Sequence, residues 1–285
     1  MSIATIRTGQ GDEPVVVSSG RGVVRVADLV DDAGDDLLAL IASGQVSALL
    51  AAAEAAPDAV FGPQQDVEFA APYRHPRKIW GIGLNYVEHA GDLAESVPEE
   101  PASFIKGDHT IIGPGEVIPV PVQSERTTAE AELGLVIGRE CRNVEVDDAL
   151  DYVLGVCTVL DQTAEDILQR NPRYLTRSKN FPGFFSFGPQ IVPLDQLNGF
   201  RPDLSDIEVA TVIGGAVHRR NTVANMRYSP AFLVSFHSKV MPLFPGDIIS
   251  TGTPGAVHIR PGDVVTCDIP GVGTLTNPVG QGGEA

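Results

Sequence analysis

Cysteine is scarce in this chain: three residues in 285, at positions 141, 157 and 267, with no Cys-x-x-Cys spacing. That excludes a disulfide framework and a thiolate zinc site, and it fits reduced thiols in the cytoplasm. Positive charge is also short, with 20 Lys and Arg against 37 Asp and Glu and a net charge of −17. Such a balance argues against nucleic acid as a partner. It leaves any anionic substrate dependent on local positive charge. No apolar run approaches the roughly 18 residues that cross a bilayer. The opening Met1-Ser2-Ile3-Ala4-Thr5-Ile6-Arg7 lacks the basic-then-apolar order of a signal peptide and reads as the start of a strand. No membrane partner and a cytoplasmic location are therefore expected. What the chain does have is apolar residues, 43% of the total, enough for a sizeable core.

Two textures follow one another. Residues 1–72 read as a small α/β unit: short strands at 15–17 and 23–26 around a Ser/Gly turn, then helices at 35–42 and 45–55. No residue there suggests chemistry. From 73 to 285, short β-rich runs alternate with Pro/Gly punctuation, and helices are expected only at 147–154, 163–170 and 229–241. The fold class is α+β, the second unit being a mixed β-roll or barrel rather than a βαβ array.

The chemistry gathers around Ala129-Glu130-Ala131-Glu132-Leu133-Gly134-Leu135-Val136-Ile137-Gly138. On a strand, residues two apart share a face, so Glu130 and Glu132 project side by side. Adjacent like charges repel unless a cation, a proton or solvent intervenes. A third carboxylate, Asp161, ends the apolar run 156–160. An oxygen set of this kind suits Mg²⁺, Mn²⁺ or Ca²⁺ rather than zinc. An isolated Glu-x-Glu is more often a solvated strand face. His89 and Asp92, three apart, fall on one side of a helical turn, where a carboxylate can fix the tautomer of a general base. Lys179 lies in an aromatic, Gly/Pro-rich stretch and is either a surface lysine or a cation that steadies an enolate. Thr253, in Thr251-Gly252-Thr253-Pro254-Gly255, is part of either a tight turn or a ligand-binding loop.

In order, these motifs resemble the fumarylacetoacetate hydrolase superfamily. They run Gly81-Ile82-Gly83-Leu84-Asn85-Tyr86 to His89, Phe104-Ile105-Lys106, Gly113-Pro114, Glu130-x-Glu132, Asp161, Lys179 and Gly188-Pro189. Pro245-Gly246-Asp247 through Thr253-Pro254 and Pro270-Gly271 through Asn277 complete the series. The resemblance covers about 76–279. It implies a β-roll catalytic domain, a homodimer, and Mg²⁺ or Mn²⁺, with Ca²⁺ a third candidate, on Glu130, Glu132 and Asp161. His89 would activate water with Asp92 as its partner, Lys179 would stabilise the enolate, and Thr253 and Lys106 would contact an anionic keto-acid substrate. The implied reaction is C–C hydrolysis of a 2,4-dioxo acid such as an acylpyruvate or a diketo-deoxy sugar acid. Oxaloacetate-type decarboxylation, keto–enol isomerisation and an inactive metal-binding homologue are the alternatives. Four positions depart from the family pattern: Asp92 for Glu, Glu165 for Arg, Leu168 for Gln and Pro182 for Asp. An anion at 165 is expected to alter which substrate carboxylate is accepted.

Overall fold

The computed structural model describes residues 1–30, 34, 36–87 and 98–282. Its centre is an antiparallel pair of long strands, Thr127–Ile137 and Val153–Ala164, in register with Glu130 opposite Asp161 and Glu132 opposite Val159. Every residue of Thr127–Ile137 is buried. A strand covered on both faces needs an almost continuous apolar run, which is what 133–137 supplies.

The pair belongs to a twelve-stranded sheet. Its main order is Gly22–Arg25, Gly11–Ser18, Ser2–Thr8, Phe185–Pro193, Val153–Ala164, Thr127–Ile137, Ile248–Ser250, Ile79–Gly83 and Ala102–Lys106. A five-stranded sheet, ordered Ala216–Thr222, Glu208–Ile213, Val264–Ile269, Gly273–Gln281 and Ile118–Val120, packs on it. Between the two lies a core that includes Ala131, Leu133, Leu160, Val265, Cys267 and Leu275. The class is α+β as expected, but the sheets are open. Closure into a barrel requires the end strands to pair, and Gly22–Arg25 and Ala102–Lys106 stand at opposite ends of the order.

The strand expected at the N-terminus is Ser2–Thr8, and it enters the large sheet with Ile3 paired to Ile191 and Ala4 to Gln190. Helices Leu37–Ala42, Val46–Ala55 and Pro230–Val240 fall where periodicity puts them. Asp36 caps the first by accepting the Leu38 N–H at 3.1 Å, and Ser229 caps the third ahead of Pro230. Two expectations need correcting. Residues 146–152 form a 3₁₀ segment that leads directly into a strand at Val153. The helix expected from 163 starts at Glu165, because Thr163 and Ala164 pair with Thr128 and Thr127 and the sheet overrides local preference.

Candidate metal centre

Strand alternation brings Glu130 and Glu132 to one face, and the antiparallel register brings Asp161 to the same face from the neighbouring strand. One carboxylate oxygen from each lies within 4.8 Å of the others, and all three residues are buried. Glu130 Oε1 accepts from Thr163 Oγ1 at 2.6 Å and Thr128 Oγ1 at 3.0 Å. Glu132 Oε2 accepts from Ser250 Oγ at 2.5 Å and the Gly252 N–H at 2.8 Å. Fixing the oxygens in this way aims them without neutralising them.

Two lysines meet these carboxylates. Lys106, at the end of strand Ala102–Lys106, donates to Asp161 Oδ1 at 2.5 Å. Lys179, at the end of helix Leu175–Lys179, donates to Asp161 Oδ2 at 2.6 Å and Glu130 Oε2 at 3.1 Å. The Phe104 ring lies 4.8 Å from the Lys179 ammonium, so these charges meet in an apolar wall rather than in water. Burial pushes the Lys106 ammonium down to about 8, the single contact with Asp161 only partly offsetting it. Burial also opposes the charge on Lys179, yet Asp161, Glu130 and Glu132 together raise its pKa above the ordinary lysine value. Glu132 has no lysine contact of its own, and burial, then the Asp161 charge, lifts its carboxyl to about 8. Glu132 therefore keeps its proton at neutral pH, and Glu130 and Asp161 balance the two ammoniums. The buried, all-oxygen donor set suits a hard divalent cation, which would take the place of that proton.

Of the other residues singled out from sequence, Thr253 is buried next to Gly252, and its hydroxyl contacts the Gly255 N–H and carbonyl at 3.2 Å. His89 and Asp92 lie outside the described residues. Glu165 is not a bare anion: Arg126 Nε meets it at 2.5 Å, so a cation stands beside the position where the family has one. Pro182 is exposed and Leu168 half-buried. Thr128, Thr163 and Ser250 were not legible as site residues. The first two lie two positions from Glu130 and Asp161 on the same strands, a spacing that could have flagged them. A cleft of about 980 Å³ is lined by Val46, Tyr152, Leu194 and Phe200, among others, and by none of the triad.

Residues 78–280 match the family model described as fumarylacetoacetate (FAA) hydrolase C-terminal. A bifunctional isomerase/decarboxylase of 4-hydroxyphenylacetate degradation from Escherichia coli is 36% identical over 207 residues, 72% of this chain and 47% of that protein. A mitochondrial oxaloacetate tautomerase from Xenopus laevis is 32% identical over 225 residues, 76% of this chain and 69% of that protein. Among solved structures, maleylpyruvate hydrolase from Sphingobium sp. SYK-6, in complex with manganese (II) ion and pyruvate, aligns with a TM-score of 0.82. It is 26% identical and covers 99% of this chain and all of the other. Sequence and architecture agree that the chain belongs to the fumarylacetoacetate hydrolase family.

Proposed function

We propose that the protein is a divalent-metal-dependent hydrolase that cleaves a C–C bond in a 2,4-dioxo acid, such as an acylpyruvate or a diketo-deoxy sugar acid. The observation that carries the reading is the buried Glu130, Glu132 and Asp161 group with two lysines set against it. The likeness to a hydrolase whose structure holds manganese and pyruvate supports it. Glu130, Glu132 and Asp161 would hold the ion, Mg²⁺ or Mn²⁺, which supplies Lewis-acid polarisation of a substrate ketone and positive charge beside a developing enolate.

The chain's own groups do the rest. His89, oriented by Asp92 or a nearby glutamate, takes a proton from water, and the water oxygen bonds to the distal carbonyl carbon. The C–C bond then breaks, its electron pair going to the carbon next to the 2-keto group as an enolate, which takes up a proton. A carboxylic acid and a 2-oxo acid result. Lys179 stays protonated because three carboxylates hold it so, and its ammonium offsets the enolate charge. Ser250, Thr128 and Thr163 keep the carboxylates aimed throughout. The reading includes a cytoplasmic homodimer acting on a small anionic keto acid.

A second reading uses the same site without activated water: decarboxylation or tautomerisation, favoured by the relatives named isomerase/decarboxylase and oxaloacetate tautomerase. Turnover of acetylpyruvate, fumarylpyruvate, oxaloacetate and a diketo-deoxy sugar acid with Mn²⁺, products resolved by mass, separates the two. Hydrolysis shows as two fragments that together carry the mass of one added water. Loss of CO₂ alone, or interconversion at constant mass, gives the assignment to the second reading.

A further inference from the structure

Lys106 and Lys179 meet the same carboxylate, one on each oxygen of Asp161, at 2.5 Å and 2.6 Å. Two buried ammoniums so placed repel each other, and the segments that carry them must be held together. Lys106 closes strand Ala102–Lys106, the last in the order of the large sheet. The outer side of an edge strand leaves backbone N–H and C=O groups without a strand partner. Asn180, next to Lys179, takes two of these groups with its side-chain amide. Oδ1 accepts the Gly107 N–H at 2.8 Å and Nδ2 donates to the Ile105 carbonyl at 3.2 Å, the residues on either side of Lys106. Nδ2 also donates to the Thr176 carbonyl at 2.9 Å, one of the groups a helix as short as Leu175–Lys179 leaves unmet at its C-terminus. On the outside, His109 Nε2 donates to the Asn180 carbonyl at 2.9 Å. Its ring lies over Gly107, where a Cβ would come within 2.6 Å of it.

We propose that Asn180 is a positioning residue of the site. Its amide locks the strand end bearing Lys106 to the helix end bearing Lys179, and so fixes the Lys179 ammonium where it offsets charge developing on the substrate. Glu130 and Glu132 do not depend on this lock, since Thr128, Thr163, Ser250 and Gly252 aim them. The lock therefore acts on the substrate and not on the metal. This rests on the reading of the triad as a metal centre with Lys179 beside the enolate.

The test is calorimetry on the full chain, first with Mn²⁺ and then, once loaded, with oxalate, a planar dianion that carries charge where the enolate oxygen of a 2-oxo acid would. Asn180→Ala is expected to bind Mn²⁺ within about twofold of the wild type and oxalate about tenfold more weakly, the size of one charge-assisted contact. In a Lys179→Met background the same substitution is expected to change oxalate affinity by less than about twofold, because an effect passed through Lys179 vanishes with it. Asn180→Gln, the same amide one methylene further out, is expected to show the same loss and carries the test should the alanine variant not fold. A purely structural role would lower urea stability while leaving oxalate affinity alone, or would weaken oxalate equally in both backgrounds. Either result overturns the assignment of Asn180 alone. Wild-type protein that binds no Mn²⁺, or binds it without then binding oxalate, overturns the reading of the triad as the substrate site and this assignment with it.

Discussion

Glu132 carries an electrostatic cost, since it is buried with hydrogen bonds from neutral groups and its pKa rises to about 8. In metal-free protein the native state keeps a proton on Glu132 that the unfolded chain gives up near 4.5. Between these values the unfolded state binds fewer protons, so stability falls as pH rises through the window. Lys106 acts in the opposite sense above pH 8, because its lowered pKa lets the native state shed a proton the unfolded chain retains up to about 10.5. Melting temperatures of chelator-treated protein are therefore expected to decline from about pH 5 to about pH 8. Glu132→Gln should flatten that decline, and an unchanged slope in the variant would contradict the assignment. Asp161 is the other sensitive residue. Asp161→Ala strips the acceptor shared by Lys106 and Lys179; Lys179 keeps Glu130, but the buried Lys106 ammonium is left without its carboxylate, a loss of about 3–5 kcal/mol readable by urea denaturation.

Strands, rather than helices, set the geometry of this site, and irregularities in them matter. The Val153–Ala164 strand shifts register twice near Gly155, against Thr127–Ile137 on one side and Phe185–Pro193 on the other. An alanine at 155 would drive its Cβ into the Val192 carbonyl, backbone that cannot swing aside. Gly155→Ala should cost about 1–3 kcal/mol in urea denaturation. Six residues along the strand, Asp161 should keep its place, so metal affinity is expected to hold. What was legible in the sequence follows the same division. The Glu130 and Glu132 pair could be read because a strand's period of two is local. Lys106 could not be read from pattern, since its partner Asp161 is 55 residues away, and it entered only through the family resemblance. The contact of Thr211 with Ala131 spans 80 residues between two sheets and has no local signature. The helix start at 165 was missed for the same reason, strand pairing having claimed Thr163 and Ala164.

At the scale of the whole molecule, residues 1–72 are joined to the rest by more than a linker. Ile3 pairs with Ile191, Ser2 Oγ donates to Gln190 Oε1 at 2.6 Å, and the N-terminal ammonium reaches Gln196 at 3.0 Å. One core cluster contains Ile3, Val16, Leu37 and Leu49 together with Val136, Phe185, Phe187 and Ile248. Elements sharing a core unfold together. A single calorimetric transition is expected, and two resolved transitions would show the leading unit to be energetically separate. The same integration places Val136, Ile248 and the strand bearing Glu130 and Glu132 under one stability, so the site is as rigid as the sheet that holds it. The most direct test of the account is Mn²⁺ titration of the full chain by isothermal calorimetry, beside Glu130→Gln and Asp161→Asn. One ion per chain is expected in the wild type, with at least about hundredfold weaker binding in both variants. Wild-type protein that binds no Mn²⁺, or variants that bind it as tightly, would contradict the claim that this carboxylate group is a metal centre.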